Sequence, residues 1–494
     1  MKFLKNSIFN FCVHDKSVNI STENKIKFGK YFFYFDSRTP INKCVLNNRN
    51  LLIFGLAVNV CNGEDKDIAK KILQSTSSLD EVIAYEKKLG GKYLIFYSED
   101  EQYYVIPDAT ASIPFFYNVG SNEIICSSVM EYIAKSINLS EDFYLKKIRN
   151  SSDVSQAMPF DVTEYKEIKQ LLPNHYYSFS TQSAKRFIDN DSIMEEITPD
   201  IAAQLTMPFI GNMVKYYDSH FKLYCPITSG RDSRVVLAFL RKYVESDSFK
   251  SYTIKHTEHN GNEDDLVIPM KIAQKSGLEY CQIEDALPSE ILIQSVDSIY
   301  GVNKYSKRTL TIANTVFQNY SDGAIVNGDI IGQIGKCSLH RDIPHFLATE
   351  GYFRCKLHNY SKESKKFLKN WLDEIRMSGE MMNTFDLFSI ENRMGRWASQ
   401  QNSIYSLLGQ VNLNIFNSRS IISQWICVNR SKRKKSLIHL ELLKLTNVEL
   451  LEYPFEKDAN FVETLAKSTG VLYYIFSYVK YVVEKLLFNV NKKV

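Results

Sequence analysis

The sequence predicts two units in series. The first, residues 1–187, is α+β with antiparallel sheets, and the second, residues 188–494, is α/β with a doubly wound parallel sheet and a helical C-terminal part. Two observations predict this. Between Lys25 and about Phe187, short apolar or aromatic runs follow one another across charged or Asn/Gly turns, as antiparallel meanders do. From Leu223 to Ile283, apolar runs alternate with stretches of helical periodicity, as in a parallel sheet covered by helices.

Composition bounds the reading. With 494 residues, 44% hydrophobic and 23% charged, the chain can bury two cores and is not globally disordered. Sixty basic against 56 acidic residues leave a net charge of +4, which argues against a dedicated nucleic-acid partner. Nine cysteines, odd in number and without a C-x-x-C pair, point to a reducing, cytoplasmic compartment with neither a zinc site nor a disulfide framework. Lys5, Asn6 and Asn10 interrupt the first apolar run, so no signal peptide is expected. Val471–Phe488 comes nearest to a membrane span but contains Lys480, Glu484 and Lys485. It reads as an amphipathic helix packed on its own domain, with a membrane surface as the other reading. A homodimer stays open.

In the first unit, Lys30–Phe35 and Leu51–Val60 read as strands and Ile68–Leu89 as a helix. Lys92–Tyr97, Tyr103–Pro107, Phe115–Val119 and Ile124–Ser127 follow as four strands. Cys12 and His14 share a face if their stretch is a strand, and Cys12 reads as structural.

In the second unit, Ile193–His220 reads as a helix whose start is limited by Pro199 and Pro208. Leu223–Ile227 is a short buried strand, and Val235, Val236, Ala238, Phe239 and Leu240 fall at helical spacing. Between them lies Thr228-Ser229-Gly230-Arg231-Asp232-Ser233. Strand, tight turn and helix aim free backbone N–H groups at an anion. Gly230 lets the backbone approach closely, Thr228, Ser229 and Ser233 add hydroxyls, and Arg231 adds a fixed charge. Asp232 makes sense with a Mg²⁺ between it and phosphates. The other reading is an N-capped turn with Asp232 or Ser233 as the cap.

Ser248–Lys255, Asp264–Ser276 and Tyr280–Ile283 continue as strand, helix, strand. Ligands of such sheets lie at the carboxyl ends of the strands, which singles out His256–Asp265 and Ala324–Gly335. In the first, Glu263 suits a helix N-terminus, Asp265 is a site candidate, and His256 and His259 read as solvated. In the second, Gly328 follows a strand and Asp329 offers another carboxylate. Arg341–Ile375 and Met382–Leu408 read as largely helical. Asn429–Leu437 is a basic run containing Lys434 and Lys435, which reads equally as a solvated loop.

The turn Thr228–Ser233 resembles the pyrophosphate-binding PP-loop, Ser-Gly-Gly-x-Asp-Ser, of the asparagine synthetase-like ATP-pyrophosphatases. Gly90–Tyr97, Tyr104–Asp108, Ile113–Tyr117 and Ile124–Ser128 resemble a run in the amino-terminal glutamine amidotransferase domain of class B asparagine synthetases. Ile168–Tyr176 resembles that family's link between domains, with Asn174 where glycine is usual. Leu413–Ser420 resembles its Pro-Phe-Leu-Asp-x-Arg turn, with Asn417 for Asp and Arg419 for Arg. The resemblance covers about residues 25 to 490.

It implies an Ntn-hydrolase-like first domain, an ATP-pyrophosphatase second domain, and ATP and Mg²⁺ as cofactors. The implied reaction adenylates a small-molecule or peptide carboxylate, and an amine or ammonia then attacks to give an amide and AMP. Thr228, Ser229, Gly230, Arg231, Asp232, Ser233 and Gly328 would hold ATP and pyrophosphate, and Asp232 and Asp329 the metal. Lys434 or Lys435, in a Lys-x-x-Leu setting, would steady the acyl transfer.

Three departures stand out. Lys2 occupies the place of the N-terminal cysteine nucleophile, which implies a degenerate glutaminase domain. Gly332 and Gln333 replace an Asp-Glu pair, and Asn417 replaces an Asp. Together they support a competing expectation, a non-catalytic pseudoenzyme that binds nucleotide or a protein partner.

Overall fold

A computed structural model describes residues 7–18, 24–151, 158–187, 195–245, 249–256, 263–302, 304–340, 342–378, 383–455 and 469–491. Lys2 and His259 lie outside the described residues.

The first part of the chain forms two six-stranded sheets whose strand pairs are antiparallel. One runs Ile168–Gln170, Phe116–Asn118, Ile125–Ser127, Phe11–His14, Tyr31–Phe35, Asn24–Phe28. The other runs Ser183–Arg186, His175–Ser178, Gln102–Pro107, Leu89–Glu99, Arg49–Asn59, Ile41–Leu46. Their inner faces meet through aromatic rings: Phe11 lies edge-on to Phe54 at 5.4 Å and Phe33 to Phe96 at 5.0 Å. Helices cover both outer faces. Ile68–Ser75 and Leu79–Glu86 bury Ile72, Leu73 and Val82 against Ile53 and Ile95, and Met130–Ser136 buries Ile133 beside Cys12 and Tyr34.

The single helix expected over Ile68–Leu89 is two helices. Thr76, Ser77 and Ser78 interrupt it, Ser78 Oγ caps the second helix by accepting the Glu81 N–H, and Leu89 already belongs to a strand. The edge strands Asn24–Phe28 and Ile41–Leu46 escape an apolar-run reading, because the exposed Lys25, Lys27 and Lys43 and the half-buried Asn24 and Asn42 break their apolar residues apart.

Cys12 sits inside the strand Phe11–His14, and burial pushes its thiol well above the usual range. His14 Nε2 lies 2.7 Å from the Tyr132 hydroxyl, and burial lowers its imidazole to about 4. All nine cysteines are free thiols.

The second part is built on a five-stranded, all-parallel sheet, in the order Tyr280–Glu284, Lys250–Lys255, Leu223–Pro226, Ala324–Asn327, Val411–Asn414. The order reverses between Leu223–Pro226 and Ala324–Asn327, which opens a crevice outside their carboxyl ends. Two helices that the sequence reading passed over, Glu290–Tyr300 and Lys307–Tyr320, pack with Ser399–Leu408 on one side of this crevice. Among the described residues, no helix is long and apolar enough to cross a membrane.

The two parts share one continuous hydrophobic cluster, which runs from Phe11 and Phe54 through Met213 to Val235 and Leu413. Polar contacts fasten the seam. Gly91 N–H donates to the Asn417 carbonyl at 3.0 Å, and Asn417 Nδ2 donates to Gly91 O at 2.6 Å and to Asp108 Oδ1 at 3.0 Å. Arg419 pairs with Glu86 at 2.5 Å and donates to Asn174 Oδ1 at 2.6 Å. Asn174 takes φ 62°, a left-handed conformation that asparagine tolerates far better than most residues and that explains the glycine expected there.

Candidate functional site

The central strand Leu223–Pro226 delivers the chain to the crevice, and the helix Arg231–Tyr243 leaves from it. Its buried stripe, Val235 to Leu240, anchors the helix to the core. The N-cap is Gly230, with no side-chain cap, so neither Asp232 nor Ser233 caps the helix. Both lie inside its first turn. The uncapped N–H groups of that turn form the dipole end that favours an anion.

The loop ahead of the helix is internally tied. Thr228 N–H donates to Ser233 Oγ at 3.1 Å, and Gly230 N–H to Thr228 Oγ1 at 3.2 Å. Ser229 donates both its N–H, at 2.8 Å, and its hydroxyl, at 2.5 Å, to Asp265 Oδ1. The Ser229 carbonyl accepts from the buried Arg234 at 2.8 Å. Arg231 and Arg234 both stack on Phe455, at 4.4 and 4.3 Å. The Arg231 Nε is buried without a hydrogen-bond partner among the described residues.

Asp232 meets His439, whose Nε2 is 2.8 Å from Asp232 Oδ1. Burial would raise the Asp232 carboxyl, but the His439 hydrogen bond and the charges of His439, Lys336 and Arg231 outweigh it and hold the group below its usual value. Asp329 follows the strand Ala324–Asn327, its N–H donating to Asn327 Oδ1 at 3.2 Å. Its carboxylate opens into the crevice while protein crowds around it. That crowding and the charge of Asp232 raise its carboxyl, and Arg393 counteracts them. Arg393 is itself pinned flat on Trp397, 3.4 Å from the ring centre.

Glycines let the chain after the strand Ala324–Asn327 pass close to Asp232. A Cβ on Gly328 would stand 3.1 Å from the Asp232 carbonyl oxygen, and one on Gly332 would stand 2.4 Å from Asp232 Oδ2. Gly332 is thus the residue that makes room for the Asp232 carboxylate, and an aspartate there would collide with it. Gln333 Oε1 is buried without a partner among the described residues.

Beside Asp329 opens a cleft of about 1000 Å³, at the upper end of the usual range for a small-molecule pocket. Tyr252, Tyr305, Trp397 and Tyr405 line it, Asn327 and Asp329 form part of its floor, and Lys307 and Arg308 supply positive charge. Among the described residues its walls include Asp329 but none of Thr228–Ser233.

A much smaller void, about 20 Å³, joins Asp329 to the first part of the chain through Lys92, Thr110 and Asn417. Burial lowers the Lys92 amine to about 8. Its Nζ lies 4.8 Å from the Phe9 ring centre and 3.5 Å from Ser406 Oγ.

No protein-family model matches the chain, and no curated protein matches it. Solved structures that resemble it include a tRNA thiolase from Methanococcus maripaludis with its iron–sulfur cluster, at 12% identity over 56% of this chain and 79% of that one, with a TM-score of 0.25. The allosteric regulatory enzyme of purine biosynthesis resembles it at 9% identity over 65% and 68%, with a TM-score of 0.24. Glutamine phosphoribosylpyrophosphate amidotransferase from B. subtilis, complexed with ADP and GMP, does so at 10% identity over 59% and 65%, with a TM-score of 0.20. Likeness at these scores carries neither fold nor chemistry across, and both rest on the geometry above.

The structure brings Asp232, Asp329 and Gly328 together, with Thr228–Ser233 at their side. It does not bring Lys434 or Lys435 to them. Lys434 pairs with Asp342 at 2.8 Å, and Lys435 is exposed at the end of the short helix Arg430–Lys434. The buried cation of that run is Arg433, which binds Asp386 at 2.7 Å and the Ile334 carbonyl at 2.9 Å. The lysine beside Asp232 is Lys336. Asp265, a candidate from sequence, serves the loop as a hydrogen-bond acceptor. His256 faces Asp285 at 3.1 Å.

Sequence reasoning missed His439, Lys336 and Lys92. His439 carried a signal, a histidine on the buried stripe Ile438, Leu442, Leu443 of an apolar helix. Its Nδ1 has no partner among the described residues.

Proposed function

We propose that the chain is an ATP- and magnesium-dependent ligase that adenylates a small-molecule or peptide carboxylate and passes the acyl group to ammonia or an amine. Residues 1–187 would serve as an Ntn-hydrolase-like domain without glutaminase activity, and residues 188–494 as an ATP-pyrophosphatase domain. The observation that carries this reading is that Asp232 and Asp329 stand on the two loops flanking the point where the strand order reverses, with Gly328 against the Asp232 backbone, beside an uncapped helix N-terminus.

The residues fit the cofactors. The charge of Asp232 raises the Asp329 carboxyl, a repulsion that a divalent cation between them would relieve, and Mg²⁺ binds through one or two carboxylates plus phosphate oxygens. The Arg231 Nε and the first-turn N–H groups supply donors for phosphate. Bound ATP would supply the AMP that makes a carboxylate reactive, with pyrophosphate as the group that leaves. Lys336 and Arg231 lie on the Asp232 side to offset developing negative charge, and Arg393 lies on the Asp329 side. The roles drawn for Lys434 and Lys435 need these side chains to leave Asp342 and solvent, so Lys336 is the better placed cation.

One observation favours the second reading, a pseudoenzyme. Ser229, at the heart of the loop, already gives its N–H and hydroxyl to Asp265. Product analysis separates the two. The purified chain, given Mg·ATP and pools of carboxylates with ammonia, is expected to release AMP and pyrophosphate in a carboxylate-dependent way. Release of ADP, or no nucleotide cleavage with any pool, contradicts the ligase.

A further inference from the structure

The C-terminal helix Gly470–Asn491 is built the wrong way round for a helix that only closes a core. Its inward face combines tyrosine rings, Tyr474 stacked on Tyr352 and Tyr481 buried beside Tyr360, with polar contacts. Lys356 Nζ donates to the Tyr473 hydroxyl at 3.2 Å and to Ser477 Oγ at 2.9 Å, Tyr481 donates to the Asn359 carbonyl at 2.9 Å, and Glu484 meets His358 at 3.0 Å. Its outward face is aliphatic. Leu472, Ile475, Val479, Val482, Val483 and Leu486 are 41–61% exposed. A surface helix ordinarily turns its apolar stripe to the core, and a contiguous apolar patch of this kind marks an interaction site.

We propose that this face docks the protein on an anionic lipid surface, with the helix lying in the plane of the membrane. Three features select this occupant. The apolar face is broad: Val471, Tyr478 and Leu487 flank the six side chains above and are also exposed, whereas a coiled-coil seam uses two positions in seven. At 100° per residue, Lys480 and Lys485 fall on opposite borders of the face, and the one acid beside them, Glu484, meets His358 on the inner side and lies 3.8 Å from Lys480, which leaves the borders with net positive charge. Pairing two copies through this face would set lysines against lysines, whereas lipid phosphates complement them and lysine stems can snorkel. Lys480, Glu484 and Lys485 also keep the helix from spanning, which leaves it on the surface.

The test is flotation of the full chain with vesicles of phosphatidylcholine alone and of phosphatidylcholine containing phosphatidylglycerol, without nucleotide. Binding is expected to favour the anionic vesicles and to fall with salt. Replacing Lys480 and Lys485 by Gln should cost about fivefold in partitioning for each lysine. The double change Val479→Asp and Leu486→Asp should abolish binding while leaving the melting temperature within about 2 °C, because both side chains are exposed. Absence of flotation with the phosphatidylglycerol-containing vesicles overturns the proposal. So does a dimer in light scattering that Val479→Asp and Leu486→Asp split into monomers, which would assign the face to a second copy. Neither outcome bears on ATP binding, so the ligase reading stands or falls separately.

Discussion

At the scale of residues, Lys92 shows what the buried seam between the two parts demands. Its amine is lowered from 10.5 to about 8 by burial, so the folded state holds this proton less tightly than the unfolded state does. The folded protein is penalised wherever the amine is charged, fully below about pH 8, and the penalty fades as pH rises toward the unfolded value of 10.5. Lys92→Met is therefore expected to stabilise the chain by roughly 3 kcal/mol at neutral pH, with the gain shrinking toward pH 10, as read by urea unfolding. A gain that does not change with pH would contradict this. Lys92 was unreadable from sequence, where it is one more polar residue in a strand. By contrast Asp232 and Asp329 were legible, because each follows an apolar strand at a turn containing glycine. Gly332 was legible only as a departure, and its reason, the Asp232 carboxylate beside it, is a contact across 100 residues that no local pattern reports.

At the scale of elements, strand, loop and helix from Leu223 to Tyr243 were read from periodicity, although the strand ends at Pro226 and the helix begins at Arg231, within the stretch read as the turn, and the structure adds what ties the loop. Arg234 lies on the buried face of the helix and donates to the carbonyls of Ser229, Leu450, Tyr453 and Pro454. A guanidinium buried among carbonyls fixes both the loop and the 450–455 segment. Arg234→Leu should cost about 3 kcal/mol and lower the denaturant midpoint. A change under about 0.5 kcal/mol would show that the network is ornamental. Elements built on long-range partners were not legible. Arg433 rather than Lys434 is the buried cation of the basic run, and it is selected by Asp386, 47 residues earlier. The helix Lys307–Tyr320 walls the cleft yet has a mixed, polar sequence, because its buried residues, Leu310, Ala313, Asn314, Thr315, Val316 and Tyr320, include polar side chains.

At the scale of the whole molecule, the two parts read as separate domains from sequence, yet one hydrophobic cluster crosses their boundary. Asn417 sits on that boundary, and the amide is what the place requires. Its Nδ2 donates to the fully buried Asp108, so a carboxylate at 417 would face another carboxylate with no hydrogen between them. Asn417→Asp is expected to destabilise the protein by about 2–4 kcal/mol at neutral pH. The introduced carboxyl would have a raised pKa in the folded state, so the cost should ease as pH falls and protonation restores the donor. A pH-independent cost, or none, would sink this reading. The shared core also accounts for why the substitution of Asp by Asn at 417 resembled a lost catalytic group in the sequence: its partner Asp108 lies 309 residues away.

The central claim is that Asp232 and Asp329 hold a magnesium ion for ATP. Calorimetric titration of the full chain with ATP, with and without Mg²⁺, tests it most directly, alongside Asp232→Asn and Asp329→Asn. The account predicts Mg²⁺-dependent binding in the wild type and a loss of tenfold or more, about 1.4 kcal/mol, in each variant with the fold intact. Binding that ignores Mg²⁺, or that survives both substitutions, would contradict it.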